Sequence, residues 1–358
     1  MIEISRKNLM DLFQITAGGY EPIHKFMGSG DIESVLKYSM LDTGETWTIP
    51  ITLNVPEIPY IRAGETVCLH YSGSHVADME VEEILHIDKG VYVLAIYATD
   101  SPDHPGVMDT MRESAKCITG KISRIKFPDF LNMNPDPHET KRVFRELGWR
   151  TIAAFQTRNP PHRAHEFMQR RAMETVDGLF INPVTGDLKN DDFSGTEIMK
   201  AYSYFISKYY PRWKVFLSPL MIAMRYAGPR AAVFLAQIRK NYGCTHFIVG
   251  RDMAGVGKYY DPYAAQKAIE EAGIGIELIK LQEVFFCRMC SETVDSRSCA
   301  HDEIYRTVLS MSSIRNSLKL GMFPPKQIMR RDVAEKLIEE LATQKNSDIL
   351  SGQVEKAL

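Results

Sequence analysis

The chain has 358 residues, a length that fits two or three domains and can bury sizeable cores without staples. Hydrophobic residues make up 44% and charged residues 25%, and the formal net charge is −2, which argues against a general polyanion or nucleic-acid binder but permits local basic pockets. No run of about 18 apolar residues is present, so no membrane partner is expected; Met1-Ile2-Glu3-Ile4-Ser5-Arg6 has no apolar signal core, which makes the cytoplasm the expected location.

Residues 1 to about 35 carry a helical stretch and Gly-rich turns. Trp47–Leu53, Thr66–Tyr71 and Val91–Tyr97 are β-rich runs separated by turn residues, which predicts a mostly β N-terminal domain over residues 1–148. Residues 127–138 are rich in turn formers and read as a connector. From about residue 150 strands alternate with helices. Ile152–Phe155, Leu179–Ile181, Val215–Leu217 and His246–Val249 are the strand candidates. A helix is expected from near Pro161, with Ala164, Phe167, Met168 and Ala172 on one face, and others over Thr196–Lys208 and Gly228–Asn241. This alternation predicts an α/β domain with a parallel, doubly wound sheet over residues 149–318. Helices near 312–320 and 332–342 predict a small helical C-terminal segment over 319–358.

The richest segment runs from Phe155 through Gln156-Thr157-Arg158-Asn159-Pro160-Pro161 to His162-Arg163-Ala164-His165-Glu166. Gln156 and Arg158 stand at the carboxyl end of a strand, where ligands bind in open α/β sheets. Proline at the first helical position has a suitable φ and gives up an N–H the helix start does not use. His162 and His165 are three apart and so share one side of the first turn, where free N–H groups and the positive end of the helix dipole favour phosphate. Two histidines at a helix start also simply cap or pack; the strand before them and the Arg-Asn-Pro turn favour ligand binding. A second segment, Ala223-Met224-Arg225-Tyr226-Ala227-Gly228-Pro229-Arg230, leads through the strand at Phe247-Ile248-Val249 to Gly250-Arg251-Asp252-Met253-Ala254-Gly255. Arg251 reads either as a salt-bridge residue or as a ligand-binding one, and its place after a strand and among glycines favours the second. Arg225, Tyr226 and Arg230 read equally as residues that start a helix or touch ligand.

Of six cysteines, Cys287, Cys290 and Cys299 lie within thirteen residues and His301 follows. Cys-x-x-Cys with a further Cys and His is a tetrahedral zinc pattern, with His301 the less secure fourth ligand because Cys299-Ala300-His301 is tight. Reduced free thiols and a redox dithiol are the rival readings. Cys68, Cys117 and Cys244 read as small core residues.

The Gln156–Glu166 segment closely resembles the signature of ATP sulfurylases, within the wider His-x-x-His or His-x-Gly-His nucleotidylyltransferases, and Ala223–Gly255 resembles that family's second active-site stretch. Weaker echoes occur at Tyr20–Met27, Pro183–Gly186, Ser312–Arg315 and Phe323-Pro324-Pro325, so the resemblance runs in order from about residue 17 to 335. It implies a Rossmann-like nucleotidylyltransferase domain behind a PUA-like N-terminal domain. It implies that Gln156, Arg158, Arg251 and the N–H of Ala254 hold sulfate, and that His162 and His165 bind the phosphates and stabilise charge on leaving pyrophosphate. Asn159 would help place the phosphates, and Gly250, Asp252 and Gly255 would face the nucleotide. The implied reaction joins ATP and sulfate to give adenosine 5′-phosphosulfate and pyrophosphate, with Mg²⁺ travelling on the ATP and a homo-oligomer, first of all a dimer, as the assembly. Some prokaryotic members carry zinc in the region that holds the cysteine cluster here. No Gly-x-x-x-x-Gly-Lys-Ser/Thr loop occurs, so no fused P-loop kinase domain is implied. Two positions depart from the family pattern: Asn182 and Met253 stand where histidine is usual. They keep two other readings open, a nucleotidylyltransferase with a phosphonate or phosphate-ester acceptor, and a non-catalytic nucleotide- or sulfate-binding homologue.

Overall fold

The computed structural model describes residues 1–57, 60–132, 134–186, 193–308 and 311–355, and in it the chain forms three sheets. The N-terminal part contains β1 (Ile2–Glu3), α1 (Arg6–Ala17), α2 (Ser29–Tyr38), β2 (Leu53–Asn54), β3 (Thr66–Tyr71), β4 (Ser74–His86), α3 (Lys89–Tyr97), α4 (Pro105–Arg112) and β5 (Lys116–Ser123). Its strands pair in the order β1-β3-β4-β5-β2, antiparallel except for β1 on β3. The register shifts between Val81 and Glu83 opposite Gly120, where a Cβ would lie 1.9 Å from the Glu80 carbonyl oxygen, so only glycine fits.

Two readings of this part need correction. Val91–Tyr97 is helical, not extended. Asp88 caps α3 by accepting the Val91 N–H at 3.0 Å, and Tyr92, Val93, Ile96 and Tyr97 are buried while Val91 and Leu94 are exposed, a helical period. Trp47–Leu53 is extended but unpaired up to β2; Trp47, Ile49 and Ile51 are buried without a ladder, and the Trp47 indole N–H donates to the Ile49 carbonyl at 2.7 Å. The connector also carries structure. α5 (Asp129–Asn132) lies within it, Met133 is outside the described residues, and Pro137 opens α6 (Pro137–Glu146) after the Asp136 cap.

The second sheet is wholly parallel and is built from β6 (Ile152–Thr157), α7 (Arg163–Met173), β7 (Gly178–Pro183), α8 (Gly195–Tyr209), β8 (Val215–Leu217), α9 (Gly228–Asn241), β9 (His246–Val249), α10 (Ala264–Ala272) and β10 (Glu277–Lys280). Its order, β10-β9-β6-β7-β8, is doubly wound and reverses between β6 and β9. Side chains alternate along each strand. Ala154, Phe180 and Phe247 pack with α9 and α10, while Ala153, Phe155, Leu179 and Ile181 pack with α7 and α8. The α9 face is continuous with the core of the N-terminal sheet: Phe234 meets Trp47 edge-on at 5.5 Å and Tyr20 at 5.3 Å.

Beyond β10 come β11 (Val284–Cys287), β12 (Glu292–Asp295) and β13 (Arg306–Thr307), a small antiparallel sheet, then α11 (Met311–Lys319) and α12 (Arg331–Glu355). The last two helices join the α8 face: Ile314, Leu318, Val333 and Leu337 share its core, and the Tyr209 hydroxyl donates to Asp332 at 2.6 Å.

The N-terminal part and the parallel sheet are also locked by charge. Arg225, just before α9, forms a buried ion pair with Asp11 of α1, and the Tyr20 hydroxyl donates to the same carboxylate at 3.0 Å. Arg230 of α9 donates to the carbonyls of Val35, Leu36 and Thr48 at 2.9–3.1 Å. Both arginines are therefore structural seams. A buried ion pair is costly to break because one charge is left without compensation. Asp11→Ala is expected to lower unfolding free energy by about 3–5 kcal/mol in urea titrations, and Asp11→Leu combined with Arg225→Met is expected to restore most of it.

Candidate active site

The site is built at the reversal point of the parallel sheet. β6 ends at Thr157, whose hydroxyl accepts the Asn159 N–H at 2.9 Å and donates to the Asn159 carbonyl at 3.0 Å, fixing the turn before Pro160. The helix begins two residues later than the Pro-Pro pair suggests. His162 is the N-cap, in extended backbone with φ −138°, so Pro161 lies outside the helix rather than at its first position. The N–H of Arg163 donates to the Ile328 carbonyl at 2.8 Å, so the C-terminal segment already uses one of the free donors of this helix start.

His162 and His165 do come together, their ring centroids 3.7 Å apart and their planes 31° from parallel. His165 is packed edge-on against Phe155, and its Nδ1 lies 3.0 Å from the Tyr202 hydroxyl. Burial holds the Tyr202 phenol well above its usual range and pushes the His162 imidazole down to about 4; burial and then His162 hold His165 well below its usual value. Both imidazoles are thus neutral at pH 7.

A cavity of about 390 Å³ opens between the ends of β6 and β9. Gln156, Arg158, Asn159 and His165 line it from the β6 side, and Gly250, Arg251, Asp252, Met253, Ala254 and Gly255 from the β9 side. His162 lies behind His165, beside a smaller adjoining space. Asp252 and Ala254 take positive φ of 55° and 57°, and the Ala254 carbonyl accepts the Gly228 N–H at 3.1 Å, which ties the loop to the start of α9. Gly228 itself has φ +50°, and a Cβ there would lie 2.5 Å from the Tyr260 ring.

Two further residues complete the site: Tyr226, which the sequence leaves open between helix entry and ligand contact, and Glu283, for which the sequence carries no signal. Tyr226, also at positive φ, receives a hydrogen bond from Arg158 at 3.2 Å on its hydroxyl, and the guanidinium sits 5.2 Å from the ring centroid. Glu283, from the β10–β11 link, lines the cavity and pairs with Arg251 at 2.8 Å; Asp252 lies 3.5 Å from the same guanidinium. Arg251 therefore both lines the cavity and makes a salt bridge. Met168, Met224, Ile248 and Val308 supply an apolar wall.

A family model described as ATP-sulfurylase matches residues 132–340, more than half of the chain. The chain belongs to the ATP-sulfurylase family. A model described as a PUA-like domain matches residues 1–127. Among similar proteins, a sulfate adenylyltransferase of Chloroflexus aurantiacus is 42% identical over 341 residues, which cover 94% of this chain and 90% of the relative. One of Staphylothermus marinus is 42% identical over 346 residues, covering 94% and 90%, and one of Pyrococcus abyssi 40% identical over 337 residues, covering 93% and 89%. A solved structure titled hexameric APS kinase from Thiobacillus denitrificans superimposes with a TM-score of 0.72 at 22% identity, a likeness of fold. It covers 94% of this chain, and this chain spans only 62% of that one.

Within this ATP-sulfurylase chain the two departures from the family pattern fall differently. Met253 lines the cavity, whereas Asn182 is fully buried on β7 and donates to the Ser218 carbonyl at 2.8 Å. The cysteine cluster converges on one point: His301 Nδ1 lies 3.5, 3.3 and 3.7 Å from the sulfurs of Cys287, Cys290 and Cys299, and the last two sulfurs are 3.8 Å apart. The N–H of Cys290 above all pulls the Cys287 thiol down to about 6, while Cys287 above all pushes Cys290 up to about 11. Cys117 and Cys244 are buried as expected, but Cys68 is half-buried and groups with His75 and Asp78. Asp78 already holds His75 at 2.7 Å and the guanidinium of Arg124, so this second group is a satisfied ion-pair cluster.

A histidine whose folded pKa lies below its ordinary value of about 6.5 binds its proton mainly in the unfolded chain. The stability it contributes is complete above pH 6.5 and falls between pH 6.5 and about 4. The ligand-free protein is expected to lose on the order of 1–2 kcal/mol through His162 between pH 7 and pH 5. Urea midpoints of wild type and His162→Gln at the two pH values measure it, since the variant lacks that share of the loss.

Proposed function

We propose that this chain acts as a sulfate adenylyltransferase, joining ATP and sulfate to give adenosine 5′-phosphosulfate and pyrophosphate. The observation that carries the reading is that Gln156, Arg158 and Arg251 face one cavity beside the stacked pair His162 and His165. A tetrahedral dianion suits guanidinium forks and an amide N–H, so Gln156, Arg158, Arg251 and the Ala254 N–H take the sulfate. The neutral imidazoles of His162 and His165, with Asn159, donate to the phosphates; Gly250, Asp252 and Gly255 face the nucleotide. A sulfate oxygen forms the new bond to the α-phosphorus while the bond to the bridging oxygen breaks and its electron pair leaves with pyrophosphate. Sulfate is already deprotonated at pH 7, so no protein base is required, and catalysis rests on in-line placement and charge stabilisation. Mg²⁺ arrives on the ATP phosphates, held mainly by them and by water. Tyr226 holds Arg158 in place, and Glu283 occupies the Arg251 fork until an anion displaces it.

The domain division follows the same reading: a PUA-like unit at 1–148, the catalytic unit at 149–318 and a helical C-terminal segment at 319–358. The substrates are small molecules, the assembly is a homo-oligomer with a dimer as first choice, and the location is the cytoplasm. Among the described residues no helix is long and apolar enough to cross a membrane. The Met253 side chain in the cavity wall favours a second reading in which another oxyanion, a phosphonate or phosphate ester, replaces sulfate.

Zinc fits the cysteine cluster. Tetrahedral bonds near 2.3 Å to sulfur and 2.0–2.1 Å to nitrogen place sulfurs about 3.8 Å apart and sulfur about 3.5 Å from nitrogen, close to the spacings among Cys290, Cys299 and His301. Cys287, Cys290, Cys299 and His301 would close the coordination, making the metal a structural clasp.

Arg158→Ala is expected to reduce sulfate-dependent pyrophosphate release about a hundredfold or more while ATP binding stays within a few-fold. Activity near wild type with sulfate moves the pocket elsewhere, and turnover with phosphonates but not sulfate selects the second reading. Metal analysis of the purified protein is expected to give one zinc per chain, and Cys290→Ser to lose it and lower the melting temperature; a metal-free wild type of equal stability leaves the thiols free.

A further inference from the structure

Arg239, on the face of α9 against the parallel sheet, is fully buried and has no carboxylate within reach among the described residues. One hydrogen bond is made by its head, from Nη2 to the Asn182 main-chain oxygen at 3.3 Å, and Phe247 lies 5.9 Å from the guanidinium. Its Nε and Nη1 meet no protein acceptor. Burial pushes its pKa down to about 10, which still leaves it charged at pH 7. Such a cation is expensive to keep, and burying it without hydrogen-bonding its N–H groups is more so.

Two buried acceptors on the same side of the sheet are also without a protein partner. Asn182 is opposite Gln156 in the β6–β7 ladder, and both follow Ala154 and Phe180 on the α9 side by the two-residue alternation. Asn182 turns its amide nitrogen to Ser218, while its Oδ1 is unpartnered; so is the buried Oε1 of Gln156. A single bridging water would give each of the three groups a partner: it would accept an N–H of Arg239 and donate one hydrogen to Asn182 Oδ1 and one to Gln156 Oε1, within the two to four bonds that buried waters make.

We propose that Arg239 and Asn182 are positioning residues for the anion pocket, acting through a bound water that pins Gln156 Oε1 to the sheet and so turns the Gln156 amide N–H groups into the cavity. The inference rests on the reading of Gln156 as an oxyanion ligand. An amide is equally able to present oxygen or nitrogen, and presenting oxygen to a dianion repels it. The water removes that choice. It also explains why a cation is kept behind the pocket: the only anion it serves arrives with the substrate.

The test uses the intact protein. Asn182→Leu and Arg239→Met each break the relay, and each is expected to raise the KM for sulfate about tenfold or more while the KM for ATP stays within about twofold. Asn182→His keeps one N–H for Ser218 and one lone pair for the water, and is expected to stay near wild type. Removing an uncompensated charge should leave the melting temperature of Arg239→Met unchanged or raised. A sulfate KM that does not move, or equal changes in both KM values with a lowered melting temperature, overturns the proposal. If Arg239→Met does not fold, Asn182→Leu and Asn182→His decide by the same split. A high-resolution crystal structure is expected to show a water bonded to Arg239, Asn182 and Gln156; direct contact between Gln156 and Asn182 with no water there refutes the relay. A wild type that releases no pyrophosphate with sulfate defeats the assigned function instead, and the crystallographic water still decides the relay.

Discussion

The whole site depends on how briefly β6 and β9 stay together. They pair only at Ala153 with His246 and Ala154 with Phe247, after which β6 continues along β7 to Thr157 and β9 along β10 to Val249. A parallel sheet whose order reverses at two neighbouring strands sends their following helices to opposite faces, so nothing fills the gap above them. That gap is the cavity. The loop after β6 carries Gln156, Arg158 and Asn159 and the loop after β9 carries Arg251 and Ala254, so residues about ninety positions apart face one another across it. The chemistry follows from the topology: the two loops need only carry guanidinium and amide donors to make an oxyanion seat.

Those loops are precise only because of what lies behind them. Tyr226 steadies Arg158, and Tyr226 is held at positive φ by the bond from Tyr260 to its carbonyl at 3.3 Å and by the start of α9 at Gly228. α9 is in turn locked to α2 and the Thr48 segment of the N-terminal part by Arg230 and, just before it, to α1 by the Asp11–Arg225 pair. The N-terminal part thus braces the site through α9 and also through Tyr260, whose hydroxyl meets the Tyr97 carbonyl and His104 Nε2, each at 3.2 Å. From the other side, the C-terminal segment delivers the Ile328 carbonyl to the first turn of α7, and Arg330 binds Glu166 with two hydrogen bonds of 2.8 and 2.9 Å. Both ends of the chain brace the loops that line the cavity without entering it.

What could be read from sequence was whatever is local. Ile152–Phe155 and Phe247–Val249 are short apolar runs because both sheet faces are covered, and their loops carry their chemistry within a few residues. The zinc-type cluster was equally legible, spanning Cys287 to His301, and the folded hairpin brings His301 into reach despite the tight spacing from Cys299. Val91–Tyr97 misleads because every residue but one is large and apolar, so periods of 2 and 3.6 fit alike; the Asp88 cap decides. The two-residue shift from Pro161 has the same root, since proline fits before the cap as well as inside the helix. Glu283 had no local signal at all. It meets Arg251 across thirty-two positions, with α10 and β10 lying between them in the chain.

The charges in the cavity explain why it should favour a dianion. Arg158 and Arg251 bring two positive charges, Glu283 and Asp252 two negative ones, and the paired histidines are neutral, so the ligand-free cavity is close to balanced. On the proposed reading of Arg251 as an oxyanion ligand, an arriving anion replaces the Glu283 carboxylate on its fork. A monoanion exchanges one such contact for another of the same charge and gains little. A tetrahedral dianion offers twice the charge and enough oxygens to engage Arg158 and Gln156 as well, so the exchange becomes favourable. On that reading, selectivity for doubly charged tetrahedral ions would come from competition with a resident carboxylate, and the released Glu283 would stay paired with Arg306, 3.6 Å from its second oxygen.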